Sequence, residues 1–541
     1  MTSPVPPPRP NPALRRRFER AAEATRGPGA AWTAGVIAVA ITLLSTFTFE
    51  NPNNASSTVA AGPVTDGAFE TDGIDQLQVE GTATEGREAS TRQVGGGETN
   101  GSTGAQATGN QSGGPQGPAG AADCAKGQNG GSTAPGVSAK KIKLGATVVR
   151  TGIAKSFLAD AQFGIEAVRR KVNAAGGICG RLLEIDYKDD GWVPSTGQEI
   201  IQKWIGGGEH FGLIVNPSSE GLRTAVSSGL ISQSEFPVIG ADGQLIGQYK
   251  DPWVWPVATS THSVMHVMAK DALARAQADG ISQPSFAIVW ESNFRFGVEG
   301  HSAFVKYVAR KCPGCKIVDK EIQGGGESYQ THANEFVGEC KKDGVEFKGC
   351  DFVAVLLEPA TAAQWVKANG LGSGDNPPAL GIGAPQPLFV NDFVRDNCGK
   401  PCAGMRVWTS FKPPIAPFDS EPAVKQYVDD IRAVSASADV NNPHVQGGYV
   451  GALMTVEALR QLGPSPTRAA LRQLLDQMTF ESGLAKPLQF AGTNHFAALS
   501  AQAFEAVYNI TGSSASFTGW RYAETGFIED DEYQKDQAEA E

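Results

Sequence analysis

Residues 141–190, KIKLGATVVRTGIAKSFLADAQFGIEAVRRKVNAAGGICGRLLEIDYKDD, constrain this chain more than any other stretch. Ile142, Leu144, Ala146 and Val148 alternate with their neighbours, the period of a strand that turns one face to a core. A polar loop holding Arg150, Thr151 and Gly152 follows. Leu158, Ala161, Ile165, Val168 and Val172 then recur at helical spacing on one face. That pattern stops at the glycine pair Gly176 and Gly177, because glycine accepts the left-handed conformation that closes a helix. Residues 182–187 (LLEIDY) supply the next strand. Together these make a βαβ unit, which requires a parallel sheet and presents its loops, and any ligand, at the carboxyl ends of the strands.

The same alternation continues along the chain. Helices are expected over 195–205, 222–233, 264–278 and 445–463, and strands over 211–215, 236–240, 253–257, 286–290, 352–357 and 379–383. The apolar runs are short and bounded, as in parallel sheets covered on both faces.

The opening residues also resemble a known family, the branched-chain amino-acid (leucine/isoleucine/valine-type) substrate-binding proteins of ABC transporters. The likeness is carried by the strand with Leu144 and Gly145, the loop with Thr151 and Gly152, and the Asn-Ala-Ala-Gly-Gly segment from Asn173. Ile178 and Cys179 stand between that segment and Gly180-Arg181, and a weaker likeness runs to about residue 520. The resemblance implies the type I periplasmic-binding fold: α/β, two doubly wound parallel-sheet lobes joined by a three-strand hinge. It places the crossings near 255–261, 405–410 and within 503–518. Lobe 1 then takes 139–258 and 411–505, and lobe 2 takes 259–410 and 506–525. The helix over 445–463 returns to lobe 1, and 526–541 is expected to be an acidic, solvated tail.

The region before the lobes has a different composition. Residues 1–29 form a basic segment with Arg15, Arg16, Arg17, Arg20 and Arg26, read as cytoplasmic. Residues 30–49 carry no charge and are long enough to span hydrocarbon as a helix. Arginine before the span and none soon after puts the globular part outside the cell membrane. An uncleaved single-pass anchor is expected; a cleaved signal peptide is the alternative, since small residues near 58–61 offer a site. Residues 50–138 are Gly/Ser/Thr-rich with few large apolar side chains, and read as a disordered tether with a span of ~50 Å.

Candidate site residues follow from loop position and from the resemblance. Ser218 and Ser219 stand between a strand and a helix, where free N–H groups and serine hydroxyls can hold a carboxylate; ordinary N-capping is the other reading. The resemblance implies a serine of this loop as the holder of the ligand's α-carboxylate. Asp242 and Gln244 replace the family's alanine and threonine; Asp242 could accept an ammonium or simply make an Asp-Gly turn. Phe296 replaces the family's tyrosine, and Ala384 and Pro385 stand where its acidic residue receives the α-amino group. Glu358 could take that role or be an exposed carboxylate. Trp290, Phe294 and Phe296 are expected around the cleft, so an amide or an aromatic or apolar acid is as compatible as an amino acid. Arg150 and Thr151 are read as rim residues. Ser260 and His262 lie near the first crossing, His262 as a structural hydrogen-bonder.

Eight cysteines in an exported chain point to disulfides. The pairs expected are Cys312–Cys315, Cys340–Cys350, Cys398–Cys402 and Cys124–Cys179. A redox role for Cys312-Pro-Gly-Cys315 is the alternative, disfavoured because the motif follows a helix rather than opening one. The sequence has no nucleophile elbow, zincin motif or phosphate-binding glycine loop, and its histidines are not read as a metal cluster. The formal charge of −11 disfavours a nucleic-acid surface. No enzymatic activity, cofactor or metal is expected. The chain reads as a membrane-tethered solute-binding protein whose partners are a small ligand and an ABC permease. A ligand sensor signalling to a partner protein is the alternative.

Overall fold

The computed structural model describes residues 124, 129–323, 340, 349–369, 378–512 and 514–537. The basic segment, the expected anchor and most of the expected tether lie outside these residues. Among the described residues no helix is long and apolar enough to cross a membrane.

The first lobe is built on β1 (Lys141–Val148), α1 (Lys155–Leu158), α2 (Ala161–Ala174), β2 (Leu182–Asp189), α3 (Pro194–Gly207) and β3 (Leu213–Asn216). It continues through α4 (Ser219–Ser227), α5 (Leu230–Gln233), β4 (Val238–Ala241), α6 (Ile246–Lys250) and β5 (Val254–Pro256). Its sheet has the order β2-β1-β3-β4-β5 and is parallel throughout. β1 and β2 pair in register from Lys141 opposite Leu182 to Val148 opposite Asp189. The apolar face of α2 is buried as its spacing requires, with Ala161, Ile165, Val168 and Val172 all inside.

The second lobe contains α7 (Thr261–Ala278), β6 (Ser285–Glu291), α8 (Arg295–Lys311), β7 (Lys316–Ile322), β8 (Phe352–Leu356), α9 (Pro359–Asn369), β9 (Ile382–Pro385) and β10 (Arg406–Thr409). The chain then returns to the first lobe as α10 (Pro422–Arg432), α11 (Pro443–Leu462) and α12 (Arg468–Leu475), followed by the small hairpin β11 (Thr479–Phe480) and β12 (Leu488–Gln489). It ends in β13 (Ser500–Thr511), β14 (Ser514–Tyr522) and β15 (Ile528–Glu529). The second sheet runs β14-β13-β10-β9-β8-β6-β7, with β15 also on β13. It is parallel from β7 to β10 and antiparallel at the β13 edge.

The three crossings are tied together by one residue. Thr259, between β5 and α7, donates its backbone N–H to Ser410 Oγ, on the second crossing, at 3.3 Å. Its hydroxyl donates to the Ser500 carbonyl, on the third, at 2.7 Å. Gln502 Nε2 adds a bond to the Phe411 carbonyl at 2.9 Å.

Several expectations need correction. The helix expected over 222–233 starts earlier, at Ser219, and breaks at Gly229, whose φ of 72° divides α4 from α5. The strand expected over 379–383 is shifted to Ile382–Pro385, so Ala384 and Pro385 are strand residues. Residues 500–505 belong to the second sheet, because β13 pairs with β10 from Thr409 opposite Gln502 onward. Residues 129–138 are not a loose tether end. Arg181 donates to the carbonyls of Ser138 and Gly131 at 2.7 and 2.9 Å, and Val137 is buried. Nor is the described part of the acidic tail wholly solvated: Asp530 and Glu532 are buried, and Glu532 pairs with Arg310 and Lys311 at 2.7 and 2.6 Å. Basic residues on the second lobe recruit the acidic tail. The four disulfides are Cys124–Cys179, Cys312–Cys315, Cys340–Cys350 and Cys398–Cys402, the pairs read from sequence.

Candidate functional site

Both sheets point the carboxyl ends of their strands at one gap, and loops from each lobe meet there. On the first-lobe side Trp192, just after β2, packs on Phe294 and Phe296 of the second lobe, with ring centroids 4.6 and 6.0 Å apart. Phe157 of α1 stands edge-on to Trp192 at 5.7 Å and beside His444 at 5.5 Å. Two hydrogen bonds close the gap reciprocally. The Arg295 N–H, at the start of α8, donates to Glu220 of the first lobe at 2.8 Å. The Ile246 N–H, at the start of α6, donates to Glu299 of the second lobe at 2.9 Å. Each carboxylate therefore satisfies a free helix-terminal donor of the opposite lobe. The lobes are shut, and the cavity enclosed between them measures ≈ 10 Å³, room for about one water.

Five of the residues singled out from sequence line this cavity: Ser219, Asp242, Gln244, Phe296 and Glu358. Four do not. Ser218 is fully buried, and its hydroxyl donates to Asp190 Oδ1 at 2.8 Å. Ser260 caps α7, accepting from the Ser263 N–H. The Arg150 guanidinium donates to Gln162, and the Thr151 hydroxyl to Asp189 at 2.8 Å; both are exposed. Trp290 also stands outside the lining, stacked on His301 with its N–H on Asp319.

The cavity adds residues that sequence reasoning passed over: Phe157, Leu158, Trp192, Pro387 and His444. The rule that ligands gather at strand carboxyl ends could have found Trp192, which follows Asp189 and Asp190 at the end of β2. His444 opens α11 from a distant part of the chain, and no local pattern marks it.

The polar atoms of the site divide into satisfied and unsatisfied. Glu358 takes bonds from the N–H groups of Ala360, at 2.7 Å, and Thr361, at 2.5 Å, so it serves the first turn of α9. Its own N–H donates to Glu291 Oε2 at 2.8 Å. Asp242 Oδ1 accepts from Gln248 Nε2 at 3.0 Å, while Oδ2 is buried with no partner. Gln244 Nε2 and His444 Nε2 are likewise buried without partners. Burial pushes the Asp242 carboxyl up to about 7, opposed chiefly by the bond from Gln248. Burial drives His444 down to about 3, so its imidazole is neutral. Burial also raises Asp190 to about 7, Glu299 to about 7 and Glu291 to about 8.

A larger, more open hollow of ≈ 530 Å³ lies outside the latch, lined by α6 residues with Arg223, Arg295 and Glu299. Its guanidinium groups are already paired, Arg223 with Glu220 at 2.7 Å and Arg295 with Glu299 at 3.0 Å. Away from the cleft, His262 and His266 occupy one face of α7, four residues apart, and meet Asp530 of the tail with ligating atoms within 4.8 Å. This corrects the reading of unclustered histidines. His266 Nδ1 lies 3.1 and 3.2 Å from the two Asp530 oxygens, and that contact holds the tail on the lobe.

Residues 141–509 match the family described as periplasmic binding protein. The chain belongs to that family. Among solved structures, the fatty acid ABC transporter substrate-binding protein from Thermomonospora curvata matches with a TM-score of 0.57 and 17% identity, over 76% of this chain and 98% of its own. The branched-chain amino acid transporter substrate binding protein LivJ from Streptococcus pneumoniae, in complex with isoleucine, matches with a TM-score of 0.55 and 15% identity, over 70% and 99%. The leucine binding protein LivK from Thermotoga maritima gives 0.55 and 13%, over 70% and 99%. No curated protein sequence matches the chain. This periplasmic binding protein is thus of type I, and its relatives are substrate-binding proteins rather than enzymes.

Proposed function

We propose that this protein captures a small molecule between its lobes outside the cytoplasm and delivers it to an ABC permease. The observation that carries the reading is the enclosed, aromatic-walled cavity at the facing strand ends, with three buried polar atoms lacking partners. Such atoms are costly to leave unbonded, and a guest that bonds them favours the closed lobes. The free energy of closure then comes from contacts to both lobes at once, and the closed form is the one a permease reads.

The stretch at 30–49 acts in this proposal as an uncleaved anchor, with the following segment as a tether. Sequencing the amino terminus of the exported protein tests that part, since cleavage near 58–61 would remove the anchor. A sensor with the same fold is the second reading, favoured by that anchor, because a fixed receptor suits signalling.

Ligand capture is tested by native mass spectrometry after incubation with a mixed pool of cellular metabolites. A one-to-one adduct is expected, weakened about tenfold or more by Trp192→Ala and by Phe296→Ala, the scale of a truncated aromatic anchor. An adduct indifferent to both substitutions would place binding outside the gap and reject the proposal.

A further inference from the structure

The starts of α6, α8 and α9 already carry the chain's own carboxylates, and α11, whose His444 also lines the cavity, is capped by Asn442. Asp242, after β4, lines the cavity beside Ser219 at the tip of α4. Glu358 and Glu291 take the donors at the start of α9. Glu220 serves α8, and Glu299 serves α6. These are the places where a ligand's carboxylate would find N–H groups and a positive dipole end. At α6, α8 and α9 an incoming anion would have to displace an acid of the chain from these donors.

The lining itself has the same sign. It contains two carboxylates, Asp242 and Glu358, and no lysine or arginine. Its histidine is buried and neutral. Asp242 lines the gap, is only 8% exposed, and has its Oδ2 buried without a partner. Around these acids stand the rings of Phe157, Trp192 and Phe296, whose faces attract a positive group. The Gln244 amide adapts to such a guest. Its Oε1 meets Thr261 Oγ1 at 3.0 Å, and a hydroxyl can donate or accept, so a half-turn of the amide presents oxygen to the gap.

We infer that the cleft takes a small organic cation, an amine or quaternary ammonium on an apolar body, rather than a carboxylate or an α-amino acid. The inference rests on the solute-binding proposal and gives its ligand a chemical class. The ammonium lies against Asp242 Oδ2, and the apolar body occupies the aromatic side as the lobes part and close around it.

A thermal-shift panel on the full chain, with two bodies and four heads, tests this. The probes are 2-phenylethylamine, 3-phenylpropionamide, 3-phenylpropionate and phenylalanine, and the matching set isoamylamine, 4-methylpentanamide, 4-methylpentanoate and leucine. At least one amine should raise the melting temperature in a concentration-dependent way, with the acids and amino acids inert. Asp242→Asn should weaken amine binding at least tenfold. Should that variant fail to fold, Phe296→Leu carries the test, because it removes a ring face and keeps an apolar side chain; amine binding should fall at least threefold. Stabilisation by an acid, amide or amino acid equal to that by its amine overturns the inference, as does amine binding unchanged in the variants. Silence from both amines also overturns it. The solute-binding proposal would then still stand or fall on the metabolite adduct, which depends on no particular head group.

Discussion

On the first-lobe wall of the gap, Asp242 Oδ2, Gln244 Nε2 and His444 Nε2 are buried without partners, whereas on the second-lobe wall Glu358 gives both oxygens to its own helix. Phe296 and Pro387 complete that second wall with apolar surface. The polar recognition atoms are therefore concentrated on one lobe, and the other contributes cover. Two lobes of similar construction thus divide the work. The first is a receiver that can bond a guest while the gap is open, and the second is a lid that adds contacts on closing.

If the receiver is the rigid partner, its packing should tolerate less change. In the first lobe α2 crosses α11 at Gly164, where a Cβ would stand 2.3 Å from the Val445 carbonyl and 2.5 Å from the Tyr449 nitrogen. Backbone cannot yield to it without moving a helix. In the second lobe a Cβ on Gly300 of α8 would meet only side chains, Leu356, Thr261 and Met265, at 2.9 to 3.1 Å. Side chains can rotate away. Gly164→Ala should cost about 3 kcal/mol in urea unfolding, and Gly300→Ala about 1 kcal/mol or less. Equal losses would remove the distinction between a rigid receiver and a yielding lid.

The same division marks what the sequence could convey. Local periodicity exposed α2, β1 and β2, because each buries its apolar face in the period of its own element. The gap at the strand ends followed from topology, and five lining residues from loop position. Ser218 and Ser260 were misassigned because a serine before a helix looks the same whether it faces a ligand or an internal partner. Only the fold shows that Asp190 claims Ser218. His444 and the docking of Asp530 and Glu532 depend on contacts between distant segments, for which no local pattern exists. The antiparallel edge at β13 was hidden similarly, since an apolar strand does not declare its direction.

Buried carboxyls in both lobes titrate high. Asp190 and Asp242 of the first lobe and Glu299 of the second are raised to about 7, and Glu291 of the second reaches about 8, all chiefly through burial. A folded-state pKa above the unfolded one means that the folded protein holds more protons between the two values. Stability is then greatest at low pH and falls as pH rises toward the folded value. Urea unfolding should show stability declining from about pH 5 to 8, by no more than about 1.4 kcal/mol per pH unit for one group. Asp190→Asn should reduce the slope up to about pH 7, and Glu291→Gln should reduce it up to about pH 8. Stability rising over this range would refute the upward shift of these carboxyls by burial.

The smallest effect is expected at the latch, where the lobes are most alike. Glu220 reaches from the first lobe to the Arg295 N–H, and Glu299 from the second to the Ile246 N–H. Glutamine at either position keeps the shape and an accepting oxygen but gives up the charge-assisted part of the bond. Each substitution should shift the free protein toward the open form by about 1 kcal/mol, read from the radius of gyration in solution scattering or from a fluorophore pair spanning the gap. Glu299 also holds the Arg295 side chain at 3.0 Å, and Glu220 holds Arg223 at 2.7 Å, so the two arms resemble each other in their second contact as well. A reciprocal latch predicts comparable single effects. It also predicts a double variant short of their sum, since once one arm releases, the other has less closed state left to lose. If only one substitution opens the lobes, that carboxylate alone holds the closed form and the opposite arm is merely carried along by it.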